Sequence, residues 1–242
     1  MASIELKLQQ LRQRIGDACT LAQRPVQSVT LLAVSKTHRP DAVRQAQAVG
    51  QRAFGENYVQ EALAKIDALA DLRPALEWHL IGPLQSNKTR EVAAAFDWVH
   101  TVDRLKIAQR LSAQRLDHLP PLQVCVQVNV SGEASKAGVA PDEVAALAQA
   151  VAALPRLRLR GLMSIPEPAE GIAAPRAPHR PGGPGMGGGA AVRELDSRRT
   201  RRGCRQFSIS SAPPVPRRDR LDNSSVPDAT AIDCRGADDS GW

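Results

Sequence analysis

One lysine stands where amine chemistry would be expected. Lys36 comes two residues after the apolar run 29–34 (VTLLAV), between Ser35 and Thr37. If this run is a buried strand, the lysine lies at the mouth of a low-dielectric region, where desolvation favours the neutral, nucleophilic amine. Such an amine forms Schiff bases with carbonyl compounds. The alternative is an ordinary solvated lysine just past a strand, and position alone does not separate the two.

Further polar residues stand at or near the ends of other apolar runs, and we predict that they share a ligand site with Lys36. They are Asn57, His79, Ser86, Asn129, Met163 and Ser164. His79 has a plainer alternative, because a histidine within an apolar strand is more often a hydrogen-bonded core residue. Asn57, with Gln60 three residues on, and Ser86 could equally be helix caps. Both roles can coexist, since a helix N-terminus attracts phosphate.

Short apolar runs alternate with helical patterns through residues 1–170. They predict six strands, over 29–34, 52–54, 76–81, 98–102, 122–130 and 157–163. The intervening segments carry apolar residues at helical spacing, and an amphipathic helix precedes the first strand. This alternation predicts a parallel sheet with helical crossovers. A (βα)₈ barrel of the TIM type and an open doubly wound sheet both fit, although no GxGxxG motif follows a strand to support dinucleotide binding.

The barrel alternative accounts for the placement of the polar residues. In a (βα)₈ barrel the ligand site is built at the carboxyl ends of the strands. Lys36, Asn57, Asn129 and Ser164 all follow or end a predicted strand. We therefore expect them to meet at one rim.

Composition excludes several classes of protein. No run approaches 18 uninterrupted apolar residues, and the N-terminus lacks the apolar core of a signal peptide, so we expect no membrane association and a cytoplasmic location. The four cysteines are far apart and form no CxxC motif, which disfavours a zinc site or a disulfide framework. Hydrophobic residues make up 43% of the chain, enough for a sizeable core.

Five segments together resemble the pyridoxal phosphate homeostasis protein family. They are 33–37 (AVSKT), 54–61 (FGENYVQE), 78–88 (WHLIGPLQSNK), 129–138 (NVSGEASKAG) and 160–163 (RGLM). The resemblance covers about residues 3–168. It implies an alanine-racemase-like (βα)₈ barrel that binds pyridoxal 5′-phosphate (PLP), with Lys36 forming the internal aldimine and the six other residues named above lining the site.

The resemblance also implies PLP carriage without turnover, with PLP-requiring apo-enzymes as partners. Two-base racemisation commonly needs a second acid or base, often a tyrosine, and Tyr58 is the only tyrosine of the chain. We therefore expect no catalytic residues and no metal. A PLP enzyme of the racemase type stays an alternative, as does a non-catalytic protein whose basic tail contacts nucleic acid; we expect no nucleic-acid binding.

The resemblance ends after Pro168, and the composition changes near Gly171. Residues 171–242 hold 10 of the 17 glycines, 8 of the 18 prolines and no lysine. This composition predicts a disordered tail or one with only short helical pieces. The tail lacks the family's Ser-x-Gly-Met-Ser-like and Arg-Ile-Gly-Thr-like phosphate segments, so we interpret it as the product of a reading-frame change. The barrel is then expected to be incomplete, with six βα units and with strands one and six as open edges.

Overall fold

The computed structural model describes residues 3–130, 137–165 and 229–232. The helices are α1 (Ile4–Leu21), α2 (Pro40–Ala48), α3 (Val59–Ala68), α4 (Thr89–Ala95), α5 (Leu105–Gln114) and α6 (Val144–Ala152). The strands are β1 (Thr30–Val34), β2 (Ala53–Glu56), β3 (Glu77–Leu80), β4 (Trp98–Val102), β5 (Leu122–Val128), β6 (Leu157–Ser164) and β7 (Ala229–Ile232). All six strands predicted from the sequence are present, with ends that differ by one or two residues.

The strand order decides between the two architectures that the sequence left open. The sheet runs β6-β5-β4-β3-β2-β1-β7, and every pair from β1 to β6 is parallel. A doubly wound sheet reverses its strand order at a switch point, whereas a barrel adds each strand beside the one before it. The first six strands follow in sequence without reversal. The fold is therefore of the barrel type, and its described part is a six-stranded half-barrel.

The two faces of the sheet have different contents. The outer face packs against the helices and forms the main core, in which Trp78 and Phe54 are buried with ring centroids 6.0 Å apart. Helix α6 contributes the four residues expected from its periodicity, namely Val144, Leu147, Ala148 and Val151. The inner face carries only small apolar clusters, around Leu32 and around Trp98. This inner face leaves room for polar groups.

The sequence-predicted helix caps at Asn57 and Ser86 are wrong. Tyr58 occupies the N-cap position of α3 without a side-chain hydrogen bond, and Gln60 donates instead to Glu91 at 2.9 Å. Ser86 opens a short 3₁₀ turn, and α4 begins only at Thr89. Asn57 lies in a bend between β2 and α3, one residue before the N-cap.

The expectation for the tail is also wrong at one point. Residues 229–232 form β7, which pairs antiparallel with β1, so β1 is not an open edge. An unpaired strand edge offers a row of N–H and C=O groups that a short segment with strand-forming residues can join. The other tail residues lie outside the described part of the chain. On the opposite side of the sheet, β6 has one described neighbour, β5.

Within the described residues, no helix is long and apolar enough to cross a membrane.

Gly82 lies where two loops at the carboxyl edge of the sheet touch. A Cβ atom placed on Gly82 would lie 2.0 Å from the carbonyl oxygen and 2.6 Å from the Cα of Asn57. Both are backbone atoms that cannot swing aside. Only glycine therefore allows the loop after β3 to contact the end of β2.

We predict that Gly82→Ala destabilises the fold by about 3 kcal/mol, because the new methyl group must displace backbone. The matched control is Gly16→Ala within α1, where a Cβ meets nothing within 4 Å. That change should stabilise the protein by about 1 kcal/mol through helix propensity. Urea unfolding of the two variants measures both effects. Equal midpoints for the two variants would contradict the close contact.

Candidate functional site

Three of the predicted site residues lie at the carboxyl edge of β1, β2 and β3. Val34 pairs with Gly55, and Gly55 pairs with His79. Lys36 and Asn57 each follow their paired residue by two positions, and His79 is one residue from the end of β3. Lys36 is half-buried and His79 is buried. The amine of Lys36, the amide of Asn57 and the imidazole of His79 therefore lie on three neighbouring strands at this edge.

The other predicted residues are divided between two places. Met163 pairs with Gln127 and Ser164 with Val128, so the end of β6 lies beside Asn129, which follows β5. Ser86 lies further out, in the 3₁₀ turn that follows β3, where its carbonyl accepts a hydrogen bond from Thr89 at 2.9 Å. The structure thus places all of them on the carboxyl side of the sheet, with Ser86 in a loop beyond the strand ends.

Lys36 occupies a tight turn with an unusual backbone conformation. His38 N–H donates to the Ser35 carbonyl at 3.1 Å, which makes Lys36 and Thr37 the two central residues. Thr37 has a φ of +63°, whereas Lys36 has a negative φ. A positive φ at the third position defines a type II turn, where glycine is preferred. A β-branched residue in this region carries a cost of about 1–2 kcal/mol, so other contacts must hold the turn.

Those contacts come from a buried network that sequence analysis missed. Lys65 of α3 is 4% exposed, and its Nζ donates to Glu56 Oε1 and to the Ser35 carbonyl, both at 2.6 Å. Ser35 Oγ donates to the same Glu56 oxygen at 2.7 Å. Glu61 Oε1 accepts from Lys65 at 3.1 Å and from the Thr37 N–H at 2.6 Å. The groups on both sides of Lys36 are therefore bonded to α3 or to the end of β2.

A signal for this network was present in the sequence. Glu61 and Lys65 are four residues apart on one helix, the spacing of a favourable ion pair. Glu56 ends a strand whose other residues are all apolar or glycine. A carboxylate in that position is buried only when it is paired. Burial raises the pKa of the Glu56 carboxyl, and hydrogen bonds from Lys65 and Ser35 offset part of that rise.

The inner face of β3 and β4 holds a pair of buried histidines. His79 Nδ1 and His100 Nε2 are 2.9 Å apart, so one ring nitrogen donates and the other accepts. The His79 ring also stacks on Trp98, with centroids 5.2 Å apart. Burial, and then the neighbouring His79, hold the pKa of His100 well below its usual value. The hydrogen-bonded interior histidine that the sequence left as an alternative for His79 is thus what the structure shows, and its second ring nitrogen, Nε2, lies 3.8 Å from Glu77 Oε2.

The edge offers unsatisfied hydrogen-bonding capacity to a ligand. Asn57 Oδ1 is buried and has no hydrogen-bond partner among the described residues, whereas His79 Nε2 lies 3.8 Å from Glu77 Oε2. Buried polar atoms without partners are rare in proteins, and an unfilled ligand position is one explanation. Beside them, Leu32, Ala53 and Ile81 form an apolar patch on the inner face. An apolar patch with a few polar atoms and one amine suits a flat, polar-edged aromatic aldehyde, so the residues present fit PLP.

A cavity lies at the other end of the sheet. It measures about 610 Å³ and is lined by residues at the amino ends of the strands, among them Arg52, Arg73, Glu77, Arg158 and Arg160. None of the predicted site residues lines it. In barrel folds the amino ends serve stability and the carboxyl ends carry function. This cavity is therefore not the place where the predicted site residues meet.

The half-barrel and its rim define a barrel-type binding protein with an amine at the carboxyl edge, and sequence relatives narrow this class. The model of the alanine racemase N-terminal domain matches residues 6–179. The pyridoxal phosphate homeostasis protein of Pseudomonas aeruginosa is 60% identical over 177 residues, which are 73% of this chain and 76% of that protein. The protein of the same name from Escherichia coli K12 is 55% identical over 169 residues, or 69% and 72% of the two chains. The chain therefore belongs to the alanine racemase N-terminal domain family, and within it to the pyridoxal phosphate homeostasis proteins.

Solved structures agree with this placement. PipY of Synechococcus elongatus with PLP bound is 41% identical, covers 66% of this chain and 73% of its own, and superposes with a TM-score of 0.56. The same protein without PLP gives 40% identity and a TM-score of 0.58, over 67% and 75% of the two chains. A protein from Bifidobacterium adolescentis gives the higher TM-score of 0.67 at 32% identity, over 73% and 74%. The barrel expectation for residues 1–170 is thereby confirmed for the half that is described.

The buried His100 predicts a pH dependence of stability. Its pKa in the folded state is depressed from 6.5, so below that pH the unfolded chain takes up a proton that the folded chain does not. The free energy of unfolding should therefore fall as the pH drops from 7 to 5, by at most about 1.4 kcal/mol per pH unit from this group. Urea unfolding at several pH values measures the slope.

His100→Gln should reduce that slope, because glutamine does not titrate. The matched control is His118→Gln, since His118 is exposed and should leave the slope unchanged. If His118→Gln reduces the slope as much as His100→Gln does, the buried histidine pair is not the source of the pH dependence.

Proposed function

We propose that this chain is a PLP-binding protein of intracellular PLP homeostasis, with Lys36 as the residue that holds the cofactor. The observation that carries the proposal is the position of Lys36 in a turn at the carboxyl edge of β1, on the strand next to a buried Asn57 oxygen that has no partner among the described residues. The relatives named above, one of them solved with PLP bound, support the same ligand. The proposal places the protein in the cytoplasm.

When bound, PLP supplies an aldehyde that condenses reversibly with a primary amine. The chain's contribution is to hold the Lys36 amine at the edge and to surround the ring. In our assignment Asn57 binds its polar edge, His79 lines the site from the inner face of β3, and the patch of Leu32 and Ile81 packs against a flat face. Asn129, Met163 and Ser164 border the site from β5 and β6, and Ser86 lies in the loop beyond β3.

Carriage without turnover is the second part of the proposal. Tyr58, the only tyrosine, is 60% exposed at the start of α3, and an exposed phenol is poorly placed to exchange a proton with a substrate enclosed at the edge. Reversible attachment to one amine is enough to store an aldehyde and release it to apo-enzymes that require PLP. Prolonged incubation of the PLP-loaded chain with L-alanine should give no D-alanine.

Borohydride reduction followed by peptide mapping tests the assignment of Lys36. The six lysines of the chain provide internal controls, because reduction fixes the pyridoxyl group wherever it is attached. We expect the label on Lys36, and Lys36→Ala should abolish the absorbance of the bound cofactor. A label found mainly on Lys88 or Lys136 would overturn the assignment.

The sequence after Pro168 predicts an unusual ligand preference. Barrels of this kind bind phosphate with loops after strands seven and eight, and the segments that resemble the family's phosphate loops are absent from this chain. Losing two charge-assisted hydrogen bonds to phosphate weakens binding by roughly two to four decades. Pyridoxal should therefore bind almost as tightly as PLP. Absorbance titration with both aldehydes measures the ratio, and tight binding that depends on phosphate would show that residues 171–242 supply their own phosphate contacts.

A further inference from the structure

The turn that carries Lys36 is bonded to α3 and to the end of β2. The bonded groups include the Ser35 N–H, carbonyl and hydroxyl and the Thr37 N–H. Their partners are Lys65 and Glu61 of α3 and Gly55 and Glu56 of β2. Because Ser35 faces this outer layer, the alternation of a strand end directs Lys36 toward the inner face. The helix thus bonds the residues on each side of the lysine.

Glu61 has a particular place in this arrangement. Its carboxylate is the acceptor for the Thr37 N–H at 2.6 Å, and Thr37 is the residue with the disfavoured positive φ. The Glu61 side chain is 33% exposed, whereas those of Lys65 and Glu56 are 3% and 0% exposed. Removing Glu61 therefore opens no cavity in the core. Lys65 keeps its bonds to Glu56 and Ser35 when Glu61 is gone.

We propose that Glu61 is a positioning residue for Lys36: it holds Thr37 in the type II turn that presents the lysine to the inner face. This inference rests on the proposed function of Lys36. Glu61 itself does not touch the ligand. It acts by keeping the turn in one conformation before the ligand arrives, so that binding does not have to order it.

The test compares Glu61→Ala with Asp67→Ala, an exposed carboxylate on the same helix that removes the same charge. PLP and pyridoxal are titrated by absorbance, and the share of reduced label on Lys36 is measured against the other lysines. We expect Glu61→Ala to weaken both aldehydes by about tenfold, the size of one hydrogen bond to a charged group. Label should shift from Lys36 to exposed lysines, and the unfolding midpoint should match that of Asp67→Ala.

Two further variants separate positioning from general support of the fold. Glu61→Gln keeps a carbonyl acceptor for the Thr37 N–H and should bind like the unaltered chain. Adding Thr37→Gly to Glu61→Ala should restore most of the affinity, because glycine adopts the positive φ without help. A merely structural role would not respond to a change of residue 37 in this way.

The outcomes are distinguishable. If the unaltered chain carries no label on Lys36, the proposed function falls. If it does, and Glu61→Ala binds and labels as Asp67→Ala does, only the role of Glu61 is refuted. The hydrogen bond to Thr37 would also be refuted as the cause of the lost affinity by either of two results. One is that Glu61→Gln binds as weakly as Glu61→Ala, and the other is that adding Thr37→Gly to Glu61→Ala restores no affinity.

Discussion

The ion pair between Lys65 and Glu56 is the interaction on which the site depends. Both side chains are withdrawn from water, which costs several kcal/mol per ion unless every donor and acceptor is matched. Glu56 Oε1 and the Lys65 ammonium are matched only when the Ser35 carbonyl and hydroxyl and the Glu61 carboxylate are in place at the same time, while Glu56 Oε2 has no partner among the described residues. A pair of this kind therefore specifies a single arrangement of β1, β2 and α3 more than it adds stability. That arrangement fixes the positions of Ser35 and Thr37, and thereby the position of Lys36 between them.

The two faces of the sheet have different roles, since the outer face packs the hydrophobic core and the inner face carries the polar groups of the candidate site. On the outer face, side chains such as Trp78 and Phe54 pack against helices and leave no room for a ligand. On the inner face the same strands present His79, His100 and a small apolar patch around Leu32. Alternation along each strand makes this possible, because neighbouring residues serve opposite faces. One short strand can thus be both a core element and a wall of the site.

Periodicity and position predicted the strands, the helices and the lysine at the edge, because these depend on patterns within a few residues. The buried network was not predicted, because Glu56 at the end of β2 forms an ion pair only when folding brings Lys65, nine residues later in the chain, against it. The caps at Asn57 and Ser86 failed because α3 begins after Tyr58 and because a 3₁₀ turn separates Ser86 from α4. The strand of residues 229–232 was missed because it is short, with only Thr230 and Ile232 as strand-forming residues, and lies in a tail rich in glycine and proline.

The histidine pair has an electrical consequence. Arginine guanidinium groups line the cavity at the amino ends of the strands, and the Lys36 amine lies at the opposite edge. His100 stays uncharged near neutral pH, so its ring, tilted against Trp98 between these ends, contributes a dipole and no net charge. Fields decay less through such a medium than through water. The half-barrel therefore behaves as a low-dielectric spacer, and a charge bound at one end of the sheet is felt at the other more strongly than it would be across the same distance of water.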